Sequence, residues 1–548
     1  MSARQTPPRT VAILGGGVAG LSAAHELAER GFRVTVFEAS QTTGGKARSI
    51  FVPGTGMDGR RDLPGEHGFR FFPSFYRHLP DTMRRIPFGS QPNGVADNLV
   101  ATSRTRLARI DAPPVDVLTR FPSGLRDLAD LARMVVKSDL DLPREDLLFV
   151  GRLFLTLLTS CKERRFSHYE HAPWWDFVEA DRRSPEFRKY FCDVAVRSLV
   201  AMCPRRASTR TTGVIGMQIW IDHARPGAQV DRLLNGPTHD AWITPWRRYL
   251  ERLGVQFEFG ARATRLHLRD GRLAEVQIST SAGTRRIQAD YYVAAVPVER
   301  MAALVDDDLK DADPSLAHLD RLHTEWMTGI QFFLDREMPL VNGHLALVDA
   351  PWALTAIAQK QFWPRTDLTR FGDGRTREVW SVIVSNWDVP GTFVGKPARE
   401  CSRDEIRAEV WSQLKAHVPT LSDSALVDWY LADSVEHRAD GSVVNNEPLL
   451  INTAGSWAFR PEASTRVENL FLAADYVRTH TDIATMESAN EAARRAVNGI
   501  LDAAGSAAAP CAVWDLDEPA VFKPLQALDR LRLQRGQPHL LDTARRAA

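Results

Sequence analysis

The sequence has few cysteines and no excess of charge of either sign. Its 548 residues include five cysteines, at positions 161, 192, 203, 401 and 511. These are too few and too scattered for a disulfide framework or a paired zinc site. Lys and Arg number 69 against 68 Asp and Glu, so no overall field attracts nucleic acid. We expect reduced thiols, no nucleic-acid partner and a small or neutral substrate.

A hydrophobic run long enough to cross a bilayer is also missing. The longest, Leu147–Thr159, is interrupted by Arg152 and falls short of the roughly 20 residues that a spanning helix needs. The N-terminal residues MSARQTPPRT lead into a strand without the apolar segment of a secretory signal. We therefore expect a cytoplasmic protein, divided into two or more domains because single cores rarely exceed about 300 residues.

No pattern in the sequence supports a metal site. His168 and His171 have the spacing that places two ligands on one helix face, but no third ligand or supporting carboxylate accompanies them. We predict that the protein holds no metal.

The chain begins with a strand, a glycine-rich turn, a helix and a second strand over residues 10–39. The turn carries Gly15-x-Gly17-x-x-Gly20, which presents backbone N–H groups and a positive helix end to a pyrophosphate. Glu38 ends the second strand, where a carboxylate accepts a hydrogen bond from a ribose hydroxyl and disfavours a 2′-phosphate. These features predict a dinucleotide site and argue against NADP.

A second glycine element follows the dinucleotide motif. Gly44 and Gly45 give two flexible backbone positions, and Lys46 and Arg48 are cations suited to phosphate or flavin contact. With this element, the sequence resembles the flavin-dependent amine oxidase and phytoene desaturase superfamily. The resemblance implies FAD as the cofactor.

The resemblance extends to the C-terminal part of the chain. Phe471–Tyr476 looks like the strand of that superfamily that ends in an acidic flavin contact, here Asp475. The stretch 481–489 is similar to the segment in which plant-type carotenoid desaturases place a helix N-terminus beside the flavin, and it includes Met486. Ala263, in a paired-strand segment around the Asp270-Gly271 turn, is a further cofactor-binding candidate.

The implied fold is α/β, with a discontinuous Rossmann-type FAD-binding domain and a mixed α+β substrate domain of the amine oxidase type. We assign residues 8–110, 236–300 and 450–505 to the first domain, and 111–235 and 301–449 to the second. Residues 506–548 form a C-terminal tail with an amphipathic helical pattern, which we expect to dock on the body.

Candidate catalytic residues follow from the same resemblance. Residues 66–76 look like the aromatic stretch that lies near flavin and substrate in phytoene and zeta-carotene desaturases. His67 and Arg70 are its candidates for chemistry, while Phe69 and the other aromatics line the site or pack in the core. His480 acts as a base or orients a loop.

The substrate class depends on one departure from the amine oxidase pattern. Those enzymes place a lysine near the flavin, but the comparable stretch here, Glu325–Phe332, contains none. We therefore predict hydride removal from a hydrophobic, polyene- or isoprenoid-like substrate, with oxygen, a quinone or another molecule as electron acceptor. The alternatives are an amine or amino-acid oxidase and a non-redox flavin-supported isomerase or dehydroxylase.

Two apolar stretches suggest peripheral contact with a membrane. Leu147–Cys161 and Leu125–Lys137 either form an apolar, weakly basic face that lies on a bilayer or belong to the core. Four tryptophans in the substrate segments, at 352, 363, 380 and 387, likewise line a pocket or fill the core.

Overall fold

A computed structural model describes residues 8–68, 70–121, 140–198 and 202–542. Phe69 and the stretch Leu125–Lys137, both included in the sequence predictions, lie outside the described residues.

A parallel five-stranded sheet forms the centre of the nucleotide-binding part. Its strands, in spatial order, are Leu470–Leu472, Tyr291–Ala294, Thr10–Leu14, Arg33–Glu38 and Gln256–Phe259. The central strand reads TVAIL and is almost completely buried, as expected for a sheet covered on both faces. The predicted α/β fold with a Rossmann-type beginning is confirmed.

Two helices from opposite ends of the chain pack together against this sheet. The first, Val18–Ala28, follows the glycine turn, and the second, Met486–Ala503, lies beside it. Asn490 connects them by donating to the hydroxyl of Ser22 at 2.8 Å. The helix predicted near the C-terminal end of the domain is therefore confirmed.

The paired strands predicted around Asp270-Gly271 are also confirmed. They form an antiparallel sheet of Arg262–Arg269, Arg272–Thr280 and Gly283–Ile287. Asp270 and Gly271 have φ values of 50° and 74°, as a two-residue hairpin turn with left-handed geometry requires.

A mixed seven-stranded sheet forms the core of the second part. Its strands, in spatial order, are Leu426–Leu431, Thr328–Leu334, Glu378–Val384, Thr355–Ala358, Leu345–Leu347, Arg104–Ala108 and Val115–Leu118. Arg104–Ala108 lies within the segment that the predicted boundaries assign to the FAD-binding domain, but it pairs with strands of this second sheet. The four tryptophans at 352, 363, 380 and 387 are at most 2% exposed, so they fill the core.

The remaining elements are helices and short strand pairs. The helical block consists of Arg144–Thr159, Lys162–Ser167, Trp174–Phe177, Pro185–Phe187, Arg188–Ser198 and Thr209–Ala224. Other helices are His78–Arg84, Thr244–Arg252, Val298–Leu304, Asp307–Ala312 and Arg403–His417. The strand pairs are Ser49–Phe51 with Pro64–Glu66, Leu99–Ala101 with Arg232–Leu234, His323–Glu325 with Leu449–Ile451, and Val435–His437 with Val443–Asn445.

The C-terminal tail docks on the helical block through polar contacts. Its helix, Lys523–Gln534, buries Asp529 in an ion pair with Arg164 at 2.8 Å. Gln526 donates to the carbonyl oxygen of Leu158 at 3.0 Å. The helix thus attaches through polar contacts, whereas three of its four leucines, Leu525, Leu528 and Leu531, are exposed.

In the described ranges, no helix is long and apolar enough to cross a membrane. Nor do three or more His, Cys, Asp or Glu side chains in these ranges converge in a way that could hold a metal ion.

Candidate FAD-binding and active site

Two of the three motif glycines occupy positions in the turn that no larger residue would fit. Gly15 has φ of 106°, and a Cβ there would lie 2.5 Å from the carbonyl oxygen of Ala295. At Gly20 a Cβ would overlap the carbonyl oxygen of Gly15. Gly17 differs, because a Cβ there would meet nothing closer than Gly45 Cα at 3.7 Å. The fold therefore requires glycine at positions 15 and 20, while Gly17 leaves space above the turn.

This space lies at the open end of a helix. Gly17 is the N-cap of Val18–Ala28, and no side chain caps the first turn. The leading N–H groups of a helix carry a partial positive charge and bind phosphate well. The turn therefore fits the pyrophosphate of a dinucleotide.

Glu38 lies at the end of the neighbouring strand and is fixed by two backbone donors. Its carboxylate accepts from the N–H of Gly16 at 2.6 Å and from that of Ser40 at 2.7 Å. Ala261, two residues before the candidate Ala263, donates to the carbonyl oxygen of Glu38 at 2.9 Å. This arrangement suits a ribose next to the pyrophosphate.

The second glycine element packs directly on the first. Gly44 donates to the carbonyl oxygen of Gly16 at 2.8 Å, and Gly44 and Gly45 have φ values of 110° and 53°. The turn projects Lys46 and Arg48 towards a loop of the second part. Lys46 contacts the carbonyl oxygen of Pro448 there and lies 3.8 Å from Glu299.

Arg48 and His67 meet at the same carboxylate, that of Glu447. Arg48 binds it through two hydrogen bonds, of 2.7 and 3.0 Å, and His67 Nε2 lies 3.2 Å from it. Burial lowers the pKa of His67 to about 3 despite this carboxylate. Burial alone would raise the pKa of Glu447, but the hydrogen-bonded, positively charged Arg48 lowers it. At neutral pH the cluster is a neutral imidazole beside a carboxylate already neutralised by arginine.

Arg70 is half-buried next to this cluster. It donates to the backbone carbonyl of Arg48 at 3.3 Å, and burial lowers its pKa to about 10. Burial raises the pKa of neighbouring Glu66, which accepts from Ser49 and from the backbone of Thr238. Arg70 therefore supports the backbone of the glycine element.

The stretch that lacks the amine oxidase lysine runs directly past His67. A Cβ on Gly329 would lie 2.8 Å from the carbonyl oxygen of His67, and Gln331 donates to the carbonyl oxygen of Glu66 at 3.0 Å. Thr328 accepts from Asn445, two residues before Glu447, at 3.2 Å. The strand Thr328–Leu334 thus contributes a hydroxyl and a glycine to this region, and no cation.

Several buried polar atoms around the cluster have no hydrogen-bond partner among the described residues. They include Nδ1 of His67, one carboxylate oxygen each of Glu66 and Glu299, and the hydroxyl of Tyr476. Such orphaned atoms are costly unless a ligand or water completes them. Together with the glycine turn and Glu38, they fit a bound FAD that extends from the first helix to the C-terminal segment.

The C-terminal segment is fixed by a buried charge network. Asp482, with φ of 46°, accepts hydrogen bonds from Arg210 and Arg460, and from Thr211 at 3.0 Å. Arg460 also donates to the backbone carbonyl of Asp475, the predicted acidic flavin contact. The helix that begins at Met486 is capped by Thr485, whose hydroxyl accepts from Ser488 at 3.2 Å.

His480 lies next to the C-terminal tail. Its Nδ1 is 3.3 Å from the carboxylate of Asp515, and its backbone N–H donates to the carboxylate of Glu491 at 2.8 Å. Within the described chain, no hydrogen bond or ion pair connects His480 with Lys46, Arg48, His67 or Glu447. Its role near the flavin stays a prediction.

Glu299 and Glu447 were not predicted from the sequence as site residues. Glu299 follows the strand Tyr291–Ala294 closely, and this position at the carboxyl end of a parallel strand is a usable signal. Glu447 lies in a loop 399 residues from Arg48 and carries no local signal.

Comparison with known proteins agrees with this site. The family described as flavin containing amine oxidoreductase matches residues 18–501. The zeta-carotene desaturase of Synechocystis sp. is 24% identical over 527 residues, which cover 90% of this chain and 97% of that protein.

Solved structures give the same fold. Putrescine oxidase, in its wild-type form bound to putrescine, aligns with a TM-score of 0.61 at 14% identity, covering 90% of this chain and 99% of that one. An oxidoreductase from Methanosarcina mazei aligns with a TM-score of 0.58 at 14% identity, covering 90% and 100%. The resemblance predicted from the glycine motifs is confirmed. The chain belongs to the flavin-containing amine oxidoreductase family and is an FAD-dependent oxidoreductase.

Proposed function

We propose that the enzyme removes hydride from a hydrophobic, polyene- or isoprenoid-like substrate. The observation that carries the proposal is the charge balance of the cluster formed by His67, Glu447 and Arg48, which we call the His67 cluster. His67 is neutral and buried, and the carboxylate of Glu447 is occupied by both hydrogen bonds of Arg48. An apolar substrate needs no charged partner in such a site.

The same charge balance disfavours an amine. An ammonium group leaving water needs a carboxylate or an aromatic face to replace its hydration. Glu447 is paired with Arg48, and Glu299 faces Lys46 at 3.8 Å. The strand beside His67 adds Thr328 and Gly329, which carry no charge.

The chain's own residues would then hold the cofactor and shield the reacting side of the site. Gly15, Gly17 and Gly20 would receive the pyrophosphate, and Glu38 the ribose. FAD, when bound, supplies the hydride acceptor. His67 would line the reacting side as an uncharged group, and Glu447 would fix its ring through Nε2. The net reaction needs an electron acceptor, for which oxygen and a quinone are the candidates.

The likeness to zeta-carotene desaturase supports this substrate class. It extends over 90% of the chain and therefore includes the segments that surround the His67 cluster. A lipophilic substrate of this kind is stored in membranes, so the proposal includes peripheral contact with a bilayer.

An anaerobic flavin-reduction screen tests the proposal. The purified holoenzyme is mixed with carotenoid precursors, squalene-type lipids or amines, and bleaching of the oxidised flavin is recorded. We expect bleaching by a polyene or isoprenoid and none by amines. Bleaching by amines, with hydrogen peroxide formed in air, would instead assign an amine oxidase. Substrate conversion without net electron release would assign the non-redox alternative.

A variant of His67 connects the screen to the site. His67→Gln should slow flavin reduction by the active lipid by about tenfold or more, the usual scale for a group that positions reactants. Its FAD content should stay unchanged. His323→Gln, at an exposed histidine of the second part, is the matched control. Equal reduction rates in both variants would remove His67 from the reacting site.

A further inference from the structure

The C-terminal helix Lys523–Gln534 is oriented with its polar side towards the protein. Asp529, which faces the body, is 2% exposed. Leu525, Leu528 and Leu531 of the same helix are nevertheless 42%, 43% and 51% exposed, and Val521, four residues before Leu525, is 73% exposed. A surface helix normally shows the reverse arrangement. We call Val521, Leu525, Leu528 and Leu531 the tail ridge.

Specific contacts enforce this orientation. The carboxylate of Asp529 accepts from Arg164 at 2.8 Å and from the backbone of Cys161 at 2.9 Å. Arg164 is itself 3% exposed. Rotating the helix to bury its leucines would leave this arginine charged and unpaired inside the protein, which is strongly unfavourable. The ion pair therefore fixes the tail ridge on the outside.

The neighbouring helix also carries exposed leucines. Helix Arg144–Thr159 buries Phe149, Val150, Leu153 and Leu157 but leaves Leu148 and Leu155 69% and 47% exposed. The two helices are in contact, because Gln526 donates to the carbonyl oxygen of Leu158. Several large apolar side chains exposed on two contacting helices mark an interaction site on a protein in water.

The charges around the tail ridge indicate which partner it fits. Residues 519–542 contain Lys523, Arg530, Arg532 and Arg535 but only two carboxylates, and one of these, Asp529, is neutralised by Arg164. Arg530 is likewise paired, with Glu163 of the helical block at 2.8 Å. Lys523, Arg530 and Arg535 are exposed. Although the whole chain is nearly neutral, this segment is locally basic. Leucines with flanking cations on one helix are the pattern of an element that lies in an anionic membrane interface.

We propose that the tail ridge docks the enzyme on a membrane surface that contains anionic lipid. A second copy of the chain is a poorer partner. Symmetric pairing of two tail ridges would bring the exposed cations of both copies, Lys523 and Arg535, close together. The inference does not depend on which substrate the enzyme oxidises.

Vesicle flotation of the full-length holoenzyme tests the proposal. We expect it to float with vesicles of phosphatidylglycerol and phosphatidylcholine, and much less with pure phosphatidylcholine or at 1 M salt. The triple variant Leu525→Gln, Leu528→Gln, Leu531→Gln should reduce the partition coefficient by about tenfold or more. Lys523→Gln with Arg535→Gln should remove most of the dependence on anionic lipid.

The matched control replaces three exposed apolar residues elsewhere: Met57→Gln, Leu253→Gln and Phe393→Gln. It should float like the wild type. FAD content and thermal midpoint, measured for every variant, show that the fold is intact.

Three results would overturn the proposal. They are absence of flotation of the wild type, equal flotation of the leucine triple variant, and equal loss in the control triple variant. Concentration-dependent dimerisation that the leucine variant abolishes, without flotation, would instead assign the ridge to a second copy. None of these readouts involves flavin reduction, so they leave the proposed reaction untouched.

Discussion

The two glycines Gly17 and Gly20 should respond in opposite ways to the same substitution. A Cβ on Gly17 meets nothing closer than 3.7 Å, and Gly17 has an ordinary extended φ of −72°. Gly17→Ala should therefore change the free energy of unfolding of the apoprotein by no more than about 1 kcal/mol. A Cβ on Gly20 overlaps the carbonyl oxygen of Gly15, so Gly20→Ala should cost about 1–3 kcal/mol or more.

For FAD binding we expect the opposite order: the specific loss of affinity should occur in Gly17→Ala and not in Gly20→Ala. A methyl group on Gly17 occupies the space in front of the open helix end and prevents close approach of the pyrophosphate. Loss of one hydrogen bond to a charged group costs about 1.5–3 kcal/mol, which weakens FAD binding by about 10- to 150-fold. Gly17→Val, with a larger side chain, should leave the purified protein nearly colourless.

Two assays separate these effects. Urea unfolding of the apoproteins gives the free energies of unfolding, and titration of the apoproteins with FAD, followed by flavin fluorescence, gives the dissociation constants. If apo Gly17→Ala were as unstable as apo Gly20→Ala, the space at Gly17 would not exist. If Gly17→Ala bound FAD as tightly as the wild type, the pyrophosphate would lie elsewhere.

Three further predictions concern charged groups. Glu38→Ala should weaken FAD binding by about 1–3 kcal/mol, measured by the same titration, because it removes the ribose acceptor; unchanged affinity would contradict the assignment. Asp482→Asn should lower the free energy of unfolding by about 3 kcal/mol, since it leaves Arg210 and Arg460 buried without their counter-charge, whereas the exposed control Asp367→Asn should change little in the same urea assay. His67 binds a proton at pH 6.5 in the unfolded chain but only near pH 3 when folded, so stability should fall as the pH drops through this window, by up to about 1.4 kcal/mol per pH unit. His67→Gln should reduce the slope of the free energy of unfolding against pH in this window by that amount. An unchanged slope would show that His67 is not buried in its neutral form.

Local patterns were sufficient for the nucleotide-binding part. The alternation of strand and helix over residues 10–39, the hairpin at Asp270-Gly271 and the helix near residues 486–501 are all encoded by neighbouring residues. Turn geometry and periodicity act over a few positions, so they can be read without the fold.

The candidate active site depended on contacts that no local pattern reports. Arg48 and His67 were visible as candidates, but Glu447, which binds both, comes from a loop 399 residues beyond Arg48. The strand Arg104–Ala108 could not be assigned to the second sheet from the sequence, because its partner, Leu345–Leu347, lies far along the chain. In the tail, periodicity predicted the helix, but the side that faces the body was decided by Arg164, a partner 365 residues away.

The position of Thr10–Leu14 in the middle of the parallel sheet has a consequence for biosynthesis. One neighbour, Arg33–Glu38, is made at once, but the other, Tyr291–Ala294, follows about 280 residues later. At 5–20 residues per second a ribosome needs about 14–56 s to deliver that strand. Until then the nascent chain carries an unpaired apolar edge, which is prone to wrong pairing. Helix Met486–Ala503 is synthesised later still. The cofactor is therefore expected to bind only after this helix has been translated, and the nascent chain should depend on chaperones until then.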